Sequence, residues 1–261
     1  MKLRIAAACA ACTLLCGPAG AAAPAGQPAT FPVRGKSLTL TVYRPAGPPK
    51  GTVIMGSGDV GWVGLGVSLA EFLSGEGYVV VGVNVRQYLS AFTAAKTHLE
   101  VSDPPADYLA ISEWMKASGL LAPPVIVSGV SEGAALAVLA AASAKNHAWL
   151  NGAITMGIPP TAELAWKWTD FTAWITKGDA REPSFAPKDF IASVSPLPLV
   201  MLQSRKDEYV PEADYRLLDS LAKPPKKLVL IDASNHRFTD RRPQLQAEYL
   251  AAIAWIRSQP R

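Results

Sequence analysis

The sequence predicts an α/β domain, a mostly parallel sheet covered by helices on both faces. Two observations carry that prediction. Short runs rich in β-branched residues are apolar throughout instead of alternating, as strands buried on both faces must be. Longer segments of helical character separate them, in the strand–helix order that parallel crossovers require.

In chain order, Lys2 and Arg4 precede an apolar run from Ile5 to Cys16 and the small residues Ala19-Gly20-Ala21-Ala22-Ala23. This is the layout of an export signal over residues 1–22, and the run is too short for a membrane span of ~20 apolar residues. Leu14-Leu15 ahead of Cys16 favour soluble export over a lipid-anchored form, which wants a small residue there. A Pro/Gly-rich spacer is expected over 23–37, then one domain over 38–261. Leu38–Tyr43 alternates like a half-exposed strand. Thr52–Met55, Tyr78–Val83, Val125–Val127, Gly152–Met156, Leu199–Leu202 and Lys227–Ile231 read as buried strands. Leu65–Leu73, Pro105–Ser118, Gly133–Ala144, Pro211–Ala222 and Pro243–Ile256 read as helices; in the last, Leu245, Tyr249, Ala252 and Ile256 recur at helical spacing. Pro159–Pro196 breaks the rhythm. It has no convincing strand and gathers Trp166, Trp168, Phe171 and Trp174, so it is either a small lid or an ordinary long connection.

Composition narrows the chemistry. Cys9, Cys12 and Cys16, the whole complement of three, fall inside the leader. An exported chain would carry no thiol, which excludes disulfides, a cysteine nucleophile and cysteine-ligated zinc. Roughly 235 residues suffice for an apolar core without staples. The formal charge of +4 drops by two with Lys2 and Arg4, too weak and too dispersed for a nucleic-acid partner.

The segment Val125–Leu136 runs from a buried strand directly into an Ala/Leu helix, with Ser131 at the corner in Gly129-Val130-Ser131-Glu132-Gly133. A serine on so tight a turn needs small residues two before and two after it. The turn lifts the hydroxyl above the sheet and sets the Glu132 N–H at a helix N-terminus, where it can donate to an oxyanion. This is the nucleophile elbow of an α/β-hydrolase fold, and it needs a base and an acid.

Of the three histidines, His98 lies in a polar stretch before the elbow and His147 at the end of the elbow helix, where it is expected to be solvated. His236 follows the last strand, where this fold places its base. Asp207, in the turn after the penultimate strand, is the expected acid, with the adjacent Glu208 as rival. A second oxyanion donor is expected from Gly56-Ser57-Gly58-Asp59-Val60-Gly61-Trp62, at Gly58 or Asp59. No Gly-Lys-Ser/Thr follows to make that loop a phosphate cradle. The chemistry calls for no metal and no organic cofactor.

The loop Gly56–Trp62, the run Val85-Arg86-Gln87-Tyr88-Leu89 after the next strand, and the serine elbow together resemble the AcvB/VirJ group of bacterial virulence-associated α/β-hydrolases, over most of the chain. Val60 stands where that group has a glycine. Val130 and Glu132 replace its aromatic residue before the serine and its small residue or Phe after it. The resemblance implies a periplasmic or secreted serine hydrolase acting on aminoacyl-phosphatidylglycerol and releasing lysine from the headgroup. The expected substrate is therefore a small-molecule or lipid-headgroup ester met at a membrane surface, with no obligate protein partner. Glu132 is the first candidate to receive a lysyl ammonium. Trp62, Tyr88 and Trp166 are the candidate pocket residues, Trp62 serving either as wall or as loop anchor. A serine peptidase and a catalytically silent binding protein are the alternatives on the same scaffold.

Overall fold

A computed structural model describes residues 25–94, 97–166 and 183–260; the leader and Trp168, Phe171 and Trp174 lie outside them. The strands are β1 (Gln27–Val33), β2 (Lys36–Tyr43), β3 (Thr52–Gly56), β4 (Val79–Val83), β5 (Val125–Val130), β6 (Gly152–Met156), β7 (Ala162–Glu163), β8 (Ser184–Phe185), β9 (Leu199–Ser204) and β10 (Lys226–Ile231). The described helices are α1 (Leu65–Gly75), α2 (Val85–Phe92), α3 (Asp103–Ala117), α4 (Glu132–Ala142), α5 (Glu212–Leu221) and α6 (Arg242–Ser258).

Eight strands form one sheet in the order β1-β2-β4-β3-β5-β6-β9-β10. β1 and β2 pair antiparallel, as do β2 and β4, and every other pairing is parallel. Successive residues of a strand feed opposite cores. Val53 and Met55 face α1 and α6, whereas Ile54 faces the helices on the other side. α4 is buried almost all round, so its run of alanines and leucines shows no polar stripe. The chain turns from β3 outward to β4 and then returns past β3 to β5. The carboxyl ends of β3 and β5 therefore flank the crevice where open α/β sheets bind ligands.

The expected spacer over 23–37 is partly structural, since 27–33 is the edge strand β1. Pro28 and Pro32 hid it, but proline is tolerated at a sheet edge, and Phe31 and Val33 alternate into the core. The stretch Pro159–Pro196, expected without strands, holds the short antiparallel pair β7–β8 in its described parts.

Tyr88, expected to line a pocket, is a core residue. It lies on the buried face of α2, a helix that periodicity did not reveal, and its hydroxyl donates to Asp107 Oδ2 at 2.6 Å. Arg34, in the β1–β2 turn at φ 45°, reaches the same carboxylate through Nε and Nη2 at 3.0 and 2.7 Å and lies over the Phe92 ring. This staple joins the edge hairpin to α2 and α3. Burial raises the Asp107 carboxyl above its usual range, and its bonds with Tyr88 and Arg34 offset only part of that rise. Tyr88→Phe strands half of a charge-assisted bond on a buried acid and is expected to cost about 1–3 kcal/mol in denaturant unfolding; a loss indistinguishable from zero would contradict the staple.

Candidate active site

The elbow is shaped by backbone contacts. A Cβ on Gly129 would sit 2.1 Å from the carbonyl of Gly133, and a Cβ on Gly133 would sit 2.4 Å from the carbonyls of Gly56 and Ser57. Any side chain at either position would push β5, α4 and the β3 loop apart. Between them Ser131 takes φ 53°, ψ −120°, a region that side chains rarely enter. Its N–H donates to the Met156 carbonyl at 2.9 Å, tying the corner to the end of β6.

The first amides of α4 are nearly all used. Gly133 donates to Ser57, and Ala134 and Ala135 donate to the Ser131 carbonyl. The Glu132 N–H has no acceptor among the described residues, as a first-turn amide facing a ligand should. Gly58 lies against the serine, since its absent Cβ would be 3.6 Å from Ser131 Cβ. Ser57 holds this loop in place. Its hydroxyl donates to the Gly58 carbonyl and accepts from the Val85 N–H, while its carbonyl accepts from Gly133. Asp59 is exposed at the tip.

Trp62 is both anchor and wall. Its Nε1 donates to the Tyr43 hydroxyl, and its ring occupies the space beside Gly82, where a Cβ would come within 2.2 Å of it. It also lines a cavity of about 800 Å3 together with Trp166.

Asp207 and His236 meet. Asp207 Oδ2 accepts from His236 Nδ1 at 2.7 Å, with the two side chains 0% and 7% exposed. The acid is fully satisfied: Gln203 Nε2 donates to the same oxygen at 2.8 Å, and the Tyr209 and Val210 amides donate to Oδ1 at 3.0 Å. Burial alone would raise this carboxyl. The hydrogen bond and charge of His236, with the two amides, overcome that and hold it below the usual aspartate range. Glu208, the rival acid, instead accepts the backbone N–H of His236 at 2.7 Å. The two neighbours therefore divide the histidine between them, one holding its ring and the other its main chain.

Gly157, at φ 59°, leaves the space that the imidazole fills; a Cβ there would lie 2.4 Å from His236 Cε1. The Ser131 main chain bonds to Met156 and the His236 ring rests on Gly157, so the two residues are both held against one short segment. His236 Nε2 is buried without a hydrogen-bond partner, so in this state the Ser131 hydroxyl is not bonded to it. Such contacts commonly tighten only when substrate binds.

The remaining histidines lie elsewhere. His98 is exposed, with Nδ1 3.8 Å from Glu100. His147 was expected to be solvated, but it is half-buried and its Nε2 bonds to the Ala141 carbonyl, closing the end of α4. Ser57, Gln203 and Gly157 escaped notice in the sequence. The one signal for the first two is a polar residue closing an otherwise apolar strand. Among the described residues no three His, Cys, Asp or Glu side chains gather as a metal site, and no helix is long and apolar enough to cross a membrane.

No family model matches the chain. A stretch of 71 residues is 37% identical to the uncharacterized protein YfhR of Escherichia coli K12, spanning 26% of this chain and 25% of that one. The fold is shared far more widely. The esterase Est1E from Butyrivibrio proteoclasticus superposes with a TM-score of 0.64 at 15% identity, covering 87% of this chain and 99% of its own. A dienelactone hydrolase from Anabaena variabilis gives 0.63 at 17%, over 92% and 100%. The Pyrococcus furiosus esterase Pf2001 gives 0.65 at 19%, over 88% and 92%. The chain has the α/β-hydrolase fold.

Glu132 departs from its ordinary state. The residue is half-buried, but its carboxyl turns inward to accept the Glu163 N–H at 3.1 Å. Burial pushes it up to about 8; that amide opposes the rise, and the carboxylates of Glu163 and Asp59 add to it. An unfolded glutamate ionises near pH ~4.3. Between that value and about 8 the folded protein holds a proton that the unfolded chain has released, so stability falls as pH rises. Glu132→Gln removes this slope. Its melting temperature relative to wild type should climb between roughly pH 5 and 8, and a difference independent of pH would contradict the assignment.

Proposed function

We propose that the protein is an exported serine hydrolase that cleaves carboxylic esters. The observation that carries the reading is a serine at positive φ on the β5–α4 corner, beside a buried Asp207–His236 pair whose Nε2 has no other partner. In the proposed reaction Ser131 Oγ attacks the ester carbonyl while His236 Nε2 takes its proton. Asp207 holds the other ring nitrogen and stabilises the imidazolium. The N–H of Glu132 and that of Gly58 or Asp59 receive the oxyanion. Collapse of the tetrahedral intermediate breaks the C–O bond, and the imidazolium returns its proton to the departing alcohol. Water, activated by the same histidine, then releases the acid and restores the serine.

Aminoacyl-phosphatidylglycerol is the finer reading, taken from the resemblance of the Gly56–Trp62 loop and the elbow. The exposed apolar side chains Val60, Val63 and Tyr209 support a substrate met at a lipid surface, since two of them sit on the loop beside Ser131 and the third stacks edge-on against His236. Glu132 offers less to a lysyl ammonium than its charge in the sequence promised. Its carboxyl is neutral over most of the range below about pH 8, and binding a cation there first requires ionising it.

A fluorophosphonate probe should label the wild-type protein, and Ser131→Ala should abolish labelling. Asp207→Asn should leave the fold intact and lower kcat for short acyl esters by about 10³–10⁴-fold. An unlabelled wild type, or equal labelling of Ser131→Ala, would sink the mechanism.

A further inference from the structure

Gln203, near the end of β9, keeps its amide in an apolar bed. The residue is buried, and Met201, Tyr215, Leu218 and Leu228 share with it the lining of a void of about 10 Å3. A void of that size holds at most one water. An amide in such a place costs free energy unless its bonds are made there. Nε2 makes both of its own: one hydrogen goes to Asp207 Oδ2 at 2.8 Å and the other to the Ser204 carbonyl at 3.2 Å. These two acceptors fix which way the amide faces, since the flipped rotamer would set Oε1 against both oxygens.

The bond to Asp207 falls on the oxygen that also holds the histidine. Oδ2 accepts His236 Nδ1 at 2.7 Å, while Oδ1 takes the amides of Tyr209 and Val210. With two donors on each oxygen, the carboxylate cannot rotate without giving up a bond. Gln203 therefore keeps Oδ2 on the imidazole, and as a neutral donor it draws on the same oxygen charge that His236 uses. Ser204 extends the tie, because its hydroxyl donates to the Ala233 carbonyl three residues before the histidine. The end of β9 thus secures the acid on one side and the histidine loop on the other.

The other titratable side chains about the pair come from several elements. Lys206, Glu208 and Tyr209 share the loop of Asp207, Arg237 follows His236, Tyr215 of α5 lies behind Gln203, and Glu132 of α4 adjoins Ser131. None of these side chains is bonded to the Asp207 carboxylate among the described residues.

We infer that Gln203 is a positioning residue of the acid–base pair, which holds the Asp207 carboxylate to His236 and limits how readily the pair takes up a proton. The inference rests on the ester hydrolysis proposed above.

Gln203→Met tests it, being close in length and lacking the donor; Gln203→Ala would enlarge the void and admit water in the donor's place. Without the donor the carboxylate is the stronger acceptor, so the pair binds a proton more tightly. An imidazole N–H bonded to a carboxylate gives a proton resonance downfield of ordinary amides. The His236 signal, assigned by its absence from His236→Asn, therefore reads the pair with no substrate present. In Gln203→Met it should move further downfield, and its pH midpoint should rise by about one unit. The acid limb of kcat/KM for a short acyl ester should move up by the same amount. At the plateau kcat should fall about tenfold, with KM changed less than about twofold. A signal and midpoint unchanged in Gln203→Met would overturn the inference, because a packing role alone moves only the melting temperature. Gln203→Glu keeps the shape and, while its carboxyl holds a proton, the donor. Its signal should match wild type at low pH and depart from it as pH rises. This variant carries the test if Gln203→Met does not fold, and a difference from wild type that does not change with pH would overturn the role. Because the signal is read without turnover, an unchanged signal with fluorophosphonate labelling intact sinks the positioning role alone. A shifted signal in a protein that the probe does not label sinks the hydrolase reading alone.

Discussion

Three backbone segments pass through one point with no room for a side chain: the end of β5 at Gly129, the start of α4 at Gly133, and the end of β3 at Gly56. Dispersion and hydrogen bonding hold them there. Gly133 donates to Ser57, and Ser131 donates to Met156, so the corner is bonded to strands on both sides of β5. The unfavourable backbone angles of Ser131 are a consequence of this convergence. A relaxed turn would lengthen the corner and break both bonds. The same convergence brings the Gly58 loop against the serine and leaves the Glu132 amide facing outward, so the candidate nucleophile and its candidate donors are placed by a single packing event.

The second half of the site is built differently. Asp207 and His236 sit on two separate loops, after β9 and β10, and no tight turn forces them together. They are joined by polar bonds: Gln203, Tyr209 and Val210 saturate the aspartate, and Glu208 fixes the histidine main chain. Among the described side chains of this pair the buried atom left without a partner is Nε2, which takes the serine proton in the proposed reaction. A saturated network in a dry setting is rigid, because moving any member strands another.

Much of this was legible in the sequence because the fold relies on signals that survive in one dimension. Five buried strands announced themselves as nearly unbroken apolar runs; Lys227–Ile231 read the same way, but β10 is the half-buried edge of the sheet, where one side has no neighbouring strand. Five helices were also legible, α4 by its continuous Ala/Leu run and not by a periodic stripe. The elbow showed as a serine between glycines at a strand–helix junction. Other features were hidden for identifiable reasons. β1 carries two prolines, which argue against a strand unless its place at the sheet edge is known. α2 is short, and its cap is Asn84 at the end of β4. Tyr88 looked like a pocket residue because aromatic side chains near a site resemble one another in sequence; its partner Asp107 is 19 positions away, and Arg34 is 73 from Asp107. Position in the chain favoured Asp207 over Glu208 without showing what the second acid does. Glu132 read as a charge, and only its burial against Glu163 shows a carboxyl that keeps its proton.

Trp62 fills a slot that Gly82 leaves open in the face of β4, far along the chain from the serine that its loop serves. The two positions are therefore bound to drift together. A relative that gains a side chain at 82 must shrink the residue at 62, and with it lose both the bond to Tyr43 and the wall of the neighbouring cavity. Covariation between these two sites would mark, across divergent sequences, the lineage in which the loop is keyed into the sheet, and would separate it from α/β-hydrolases that moor the same loop by other means.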